Sequence, residues 1–184
     1  TLELPPYRRP QVASVVVRSI FDRTLFVLGR AVVVAAPAGL IIWLMANMLF
    51  DGQTLLSICA QRLDPFARLL GMDGVILLAF ILGFPANEIV IPIMIMAYMA
   101  TSTLLDTSSA TELHALLVAN GWTWVTAVST MLFCLMHWPC STSCLTIYKE
   151  TKSLKWTLLA IAIPTVVGMF FCFVFTQTMH LLGF

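Results

Sequence analysis

Polar residues in this chain gather into short clusters that separate long apolar stretches, and the lengths of those stretches predict its elements. AVVVAAPAGLIIWLMANMLF, residues 31–50, carries no charge. At ~1.5 Å per residue it reaches about 30 Å, the thickness of a bilayer's hydrocarbon core. A first transmembrane helix is expected there. From Gly121 to Tyr148 there is no Asp, Glu, Lys or Arg, which predicts a second span near 122–148, interrupted at Pro139. Residues 156–182 predict a third, with Pro164 and Gly168 inside it. Residues 51–73 hold Asp51, Arg62, Asp64, Arg68 and Asp73, too many charges to cross, and read as one or two short interfacial helices. At the start, residues 1–10 read as an extended polar leader with Pro5, Pro6 and Pro10. Residues 11–30 place Arg18, Asp22, Arg23 and Arg30 largely along one helical side, as in a helix lying on a membrane surface.

The stretch 74–101 breaks this pattern. At its centre ILGFPANEIVIPIMIM sets Gly83, Pro85, Asn87 and Glu88 inside an otherwise lipid-compatible run. The uncharged first arm, residues 74–87, gives about 21 Å of helix, short of a crossing. Charge bias points the same way. Arg8, Arg9, Arg18, Arg23 and Arg30 precede the first span, and Lys149, Lys152 and Lys155 form a late basic turn. Both groups fall on the cytoplasmic side if 74–101 enters and returns, with the Lys-free loop 102–120 outside. Arg62 and Arg68 on the outer side oppose this, accompanied by three aspartates. The expected arrangement is a re-entrant hairpin with GFPANE at its tip and a cytoplasmic N-terminus.

Composition fixes the class. The chain has 184 residues, 60% hydrophobic and 10% charged, against about 25% charged in soluble domains; mean hydropathy is +0.95. An all-α membrane protein is expected, with about three transmembrane helices, a re-entrant helical hairpin and interfacial amphipathic helices. A net charge of +1 gives no basic excess for nucleic acid. The five cysteines are odd in number and mostly lie in apolar runs, so free thiols are expected. The opening TLELPPYRRPQ has no initiator Met and reads as a cut inside a longer polypeptide. Neither a GxxxxGK[ST] phosphate loop nor an HExxH zinc motif occurs, so the chain is not expected to be an enzyme.

The candidate chemistry sits at the two breaks. A broken membrane helix exposes backbone groups that only protein or a polar cavity can satisfy, and such breaks mark substrate sites in transporters. At the first, the amides near Asn87 to Ile89 form a partially positive helix start, and the carbonyls near Leu82 to Phe84 can face a cation. Glu88 adds a formal negative charge, expensive at that depth and functional by default. The same residues also read as capping, with Asn87 as N-cap and Glu88 in the first turn. At the second break, CLMHWPCSTSC, Pro139 frees a carbonyl near Leu135, with His137, Cys140, Ser141, Thr142, Ser143 and Cys144 around it. Thiolate and imidazole suit Fe(II), Zn(II) or Cu(I) rather than Mg(II). Without a paired CxxC this is a transient site of few ligands, as a conduit needs. The alternative is packing: hydroxyls beside a proline often bond freed backbone groups, and buried cysteine behaves as a small apolar residue.

LPPYRRP, DRTLFVLGRAVVVAAPAGLIIW, LDPFARLLGMDGVILLAFILGFPANEIVIPI and HWPCSTSCLTIYKETKSLKW occur here in an order that resembles the ferrous iron transport protein B family. The match is to the C-terminal half of that family's membrane domain. The resemblance implies a multi-pass importer of Fe(II) in the cytoplasmic membrane, built from paired gate segments. Residues 1–30 would then be leader and surface helix, and 31–184 the second gate-type half. It further implies an N-terminal GTPase domain and a first gate half elsewhere in the polypeptide, and the small partner FeoA. The cysteine after proline in the second gate carries onto Cys140, while His137 stands where many members have tyrosine. The metal site so expected is Cys140, Glu88, Asn87, Cys144 and His137, with Fe(II) as cargo and no permanently bound cofactor. A half gate with exposed interior faces is expected to need its other half or to form a homo-oligomer. Two rivals are a half carrier for an organic solute such as a nucleoside and a noncatalytic membrane scaffold.

Overall fold

The computed structural model describes residues 17–18, 21, 24–50, 52–99 and 109–183. The polar leader, much of the surface helix expected over 11–30 and the start of the loop 102–120 lie outside the described residues. What is described is almost wholly helical. Helix α1, Leu25–Asn47, begins before the apolar run 31–50 and ends inside it. It ends because the chain turns extended at Met48 and enters a small antiparallel ladder. There Leu49 pairs with Thr54 and Phe50 with Gln53, around Gly52 at φ 80°. Leu49 and Phe50 are as apolar as the helix before them, so hydropathy alone runs past the turn.

Helix α2, Leu55–Leu69, starts on the Thr54 hydroxyl, which accepts from Ser57 N–H at 3.2 Å. It buries Leu56, Ala60 and Ala67 while exposing Gln61, Arg62 and Arg68, an amphipathic division. After a turn through Gly71 the chain bends by 108° into helix α3, Gly74–Leu82. Two carboxylates fix this corner. Asp73 caps α3 by accepting from Ile76 N–H at 2.7 Å, and Asp64 accepts from Gly74 N–H at 3.1 Å. The helices cross so closely that a Cβ on Gly74 would lie 1.9 Å from the Ala60 carbonyl.

α3 is apolar on all sides, and such a helix belongs at the centre of a bundle. Ile76, Leu77, Leu78, Ala79 and Phe80 are all buried. A single 3₁₀ turn, Asn87–Ile89, leads into helix α4, Val90–Tyr98, which packs beside α3 and buries Val90, Ile93, Met94, Ile95 and Met96. Each of these two helices has nine residues, about 13 Å of length and under half a hydrocarbon core.

Helix α5, Ala110–Ala119, bends by 111° into a broken segment formed by α6, Trp124–Met136, and α7, Ser141–Thr151. Lys152, in the left-handed region at φ 49°, turns the chain into helix α8, Leu154–Leu181. α8 is long and apolar enough to cross a bilayer, and counting each bent pair as a span gives up to three crossings. Its partner is α6. Ser129, Phe133, Cys172 and Thr176 are all buried, and small residues admit this close approach, as usual between membrane helices. Ile163, Val166 and Phe170 remain largely exposed on α8, a surface suited to lipid.

Candidate transport site at two broken helices

The α3/α4 break and the α6/α7 break meet. The N–H of Ser141, first residue of α7, donates to the Phe84 carbonyl at 2.9 Å. The Ser141 hydroxyl donates to the Pro85 carbonyl at 3.2 Å. The sequence makes this joint. Pro139 and the extended Cys140 start α7 with a free amide, since the first N–H groups of a helix have no partner within it. Past the end of α3 at Gly83, the carbonyls of Phe84 and Pro85 meet the start of α7. Each end supplies what the other lacks.

Within the first break, Gly83 caps α3 through its N–H to Ala79 O at 2.8 Å, and Ala86 N–H donates to Gly83 O at 3.0 Å. The carbonyls expected to stand free at Gly83 and Phe84 are therefore each engaged once. A carbonyl oxygen has two lone pairs, so one acceptor direction remains on each. Asn87 and Glu88 are exposed. Neither the 3₁₀ turn nor α4 has a side-chain cap, so the reading of Asn87 as N-cap does not describe this turn. Glu88 does stand in the first turn, where its charge complements the helix start.

In the second break, Cys140 is half-buried, with its Sγ 3.1 Å from Thr142 Oγ1 and 3.2 Å from Ser143 Oγ. One thiol and two hydroxyls thus share one helix start. Cys144 is buried and its thiol donates to Pro139 O at 3.4 Å. His137 acts as a cap on α6: its Nδ1 lies 2.8 Å from the Cys134 carbonyl. A carbonyl only accepts, so Nδ1 carries the proton in the neutral ring and Nε2 presents a lone pair. Nε2 is buried without a hydrogen-bond partner, as is Trp138 Nε1. Around the ring stand Phe80, Phe133 and Trp138, with centroids 5.1, 6.1 and 5.8 Å from it.

The joint sets Ser141, which follows Cys140 in the chain, against Phe84 and Pro85, which precede Asn87 and Glu88. It does not assemble a cage: among the described residues no three His, Cys, Asp or Glu converge to hold a metal ion. Ser141 is one of the hydroxyls of the second break, and local pattern assigns it no role there. A hydroxyl residue directly after Pro-Cys, at a helix start, was the available signal.

A family model for the gate domain, described as nucleoside recognition, matches residues 28–154. The matched segment includes both breaks. The chain belongs to the gate family. This gate domain is similar to the Fe(2+) transporter FeoB of Synechocystis sp., at 29% identity over 99% of this chain and 29% of that protein. It is also similar to the Fe(2+) transporter FeoB of Staphylococcus aureus strain COL, at 28% identity over 98% of this chain and 27% of that protein. The chain thus spans less than a third of the length of these relatives. No solved structure matches the gate domain.

Proposed function

We propose that this gate domain forms one wall of a path for Fe(II) through the cytoplasmic membrane. The reading is carried by the Ser141 to Phe84 hydrogen bond, which joins two helix breaks inside an otherwise apolar chain. Similarity to Fe(2+) transporters over nearly the whole chain supports it.

In this reading Cys140 offers a soft contact that favours Fe(II) over Mg(II). The hydroxyls of Thr142 and Ser143, the Asn87 side chain and the second lone pairs of Phe84 and Pro85 replace part of the ion's hydration. Glu88 compensates its charge. Cys144 and the unpartnered Nε2 of His137 are reserve donors on the inner side of the break. So few strong ligands bind weakly enough to release, as conduction requires. The α3/α4 pair is re-entrant because its arms of about 13 Å cannot cross. The N-terminus is then cytoplasmic, where the resemblance puts a GTPase domain and FeoA. The first gate half, or a further copy, covers the exposed Asn87 and Glu88.

The test is uptake of Fe(II) by cells expressing the intact protein. Glu88→Gln and Cys140→Ser should each reduce uptake while the protein remains in the membrane; unchanged uptake in both removes the site assignment. A second reading, half of an organic-solute carrier, draws on the family's description as nucleoside recognition. Competition of uptake by nucleosides would favour it.

A further inference from the structure

We propose that Tyr98 is a positioning residue for the gate, holding the hairpin tip against the α6/α7 break from the hairpin's opposite end. The inference rests on reading the joint at Ser141 as part of the transport path. Tyr98 is the last residue of α4, about 13 Å of helix from the tip. Its hydroxyl donates to Asp73 Oδ2 at 2.5 Å, and it accepts from Trp122 Nε1 at 2.9 Å. Asp73 caps α3, and Trp122 stands at the corner before α6. One phenol therefore links the start of α3, the end of α4 and the segment leading into the broken helix.

The hairpin is thus fastened to the same broken segment at three levels. Trp122 holds its base. In the middle Phe80 packs edge-on against Phe133, centroids 4.9 Å apart, and lies 5.1 Å from His137. At the tip Ser141 binds Phe84 and Pro85. The edge-to-face contact adds modestly to the gain from its buried area and pairs no backbone group. The hydrogen bonds at its two ends set the register. A simple capping role does not account for Tyr98, because Asp73 already caps α3 through Oδ1, and the indole comes from another element. The chain indole N–H to phenol to carboxylate is directional, and each bond polarises the next.

The test measures how fast a water-soluble methanethiosulfonate modifies Cys140 in the intact protein in native membranes, with Cys172 followed by peptide mass spectrometry in the same sample. No iron is present, so the outcome is independent of whether the gate carries Fe(II). Tyr98→Phe keeps the ring and removes the hydroxyl; Trp122→Phe removes the indole donor and serves if the first variant is not recovered. Each should raise the Cys140 rate about fivefold, the population change that loss of one net hydrogen bond gives, with Cys172 unchanged. An unchanged Cys140 rate overturns the proposal. So does an equal rise at Cys140 and Cys172, which would mark general loosening of the bundle.

Discussion

Ser141 and Phe84, far apart in sequence, are joined by a backbone hydrogen bond of 2.9 Å that closes the gap between two broken helices. An orphan amide at a helix start and an orphan carbonyl at a helix end are each costly in an apolar setting, at about 1–3 kcal/mol when buried and unpaired. Pairing them lets both breaks persist within the fold.

Replacing Ser141 with proline, compared with Ser141→Ala, which loses only the hydroxyl bond to Pro85, isolates this bond. Ser141 is the first residue of α7, where proline fits a helix, and Cys140 already has φ −61° and ψ 159°, as the residue before a proline prefers. The helix is spared and the amide is lost. A cost of about 1–3 kcal/mol is expected, seen as a lower Tm in detergent. Ser141→Ala, which keeps the amide, should cost about 1 kcal/mol or less. Equal Tm values for the proline variant and the parent would refute this.

The α2/α3 corner is a second test, because it leaves no room for a side chain. Gly74→Ala sets its Cβ against the Ala60 backbone, which cannot rotate away. A loss of about 1–3 kcal/mol is expected from overpacking, and thermal unfolding would measure it. Gly39→Ala in α1, with nothing within 4 Å of the new carbon, is the control and should not lower Tm.

Asp64 makes two interactions of unequal weight. Its bond to Arg68, at 2.6 Å, joins an arginine whose side chain is 76% exposed, so Arg68→Ala should cost under about 1 kcal/mol. Asp64→Ala also leaves Gly74 N–H without its acceptor and should cost about 1 kcal/mol more. Denaturation of the two variants side by side would give equal losses if the ion pair were the important contact.

Phe133 is fully buried between the hairpin and the break, touching Phe80, His137 and Trp138. Phe133→Ala should destabilise by about 3–5 kcal/mol and free the His137 ring. A Tm within a degree or two of the parent would show that this cluster is not part of the core.

Much of this architecture was legible in the sequence. The long apolar helix to Leu181, the interruption at Pro139 and the corner at Gly83 to Glu88 follow from local rules, since charge is excluded from lipid and proline lacks an amide. The ladder after Asn47 was not legible, because Leu49 and Phe50 continue the apolar run. Nor was the joint at Ser141, or the link from Trp122 through Tyr98 to Asp73. Those pairs stand 56, 24 and 25 positions apart, and periodicity carries no information about partners at such distances. The carbonyl of Phe84 was expected to be free because its donor lies beyond the reach of local pattern.

The decisive quantity is the rate at which a thiol reagent modifies Cys140 in the intact protein, anaerobically, with Fe(II) or with Mg(II). If the joined breaks line the ion's path, Fe(II) slows modification of Cys140 several-fold, Mg(II) does not, and Cys59 reacts at the same rate throughout. Equal Cys140 rates with and without Fe(II) would contradict the account.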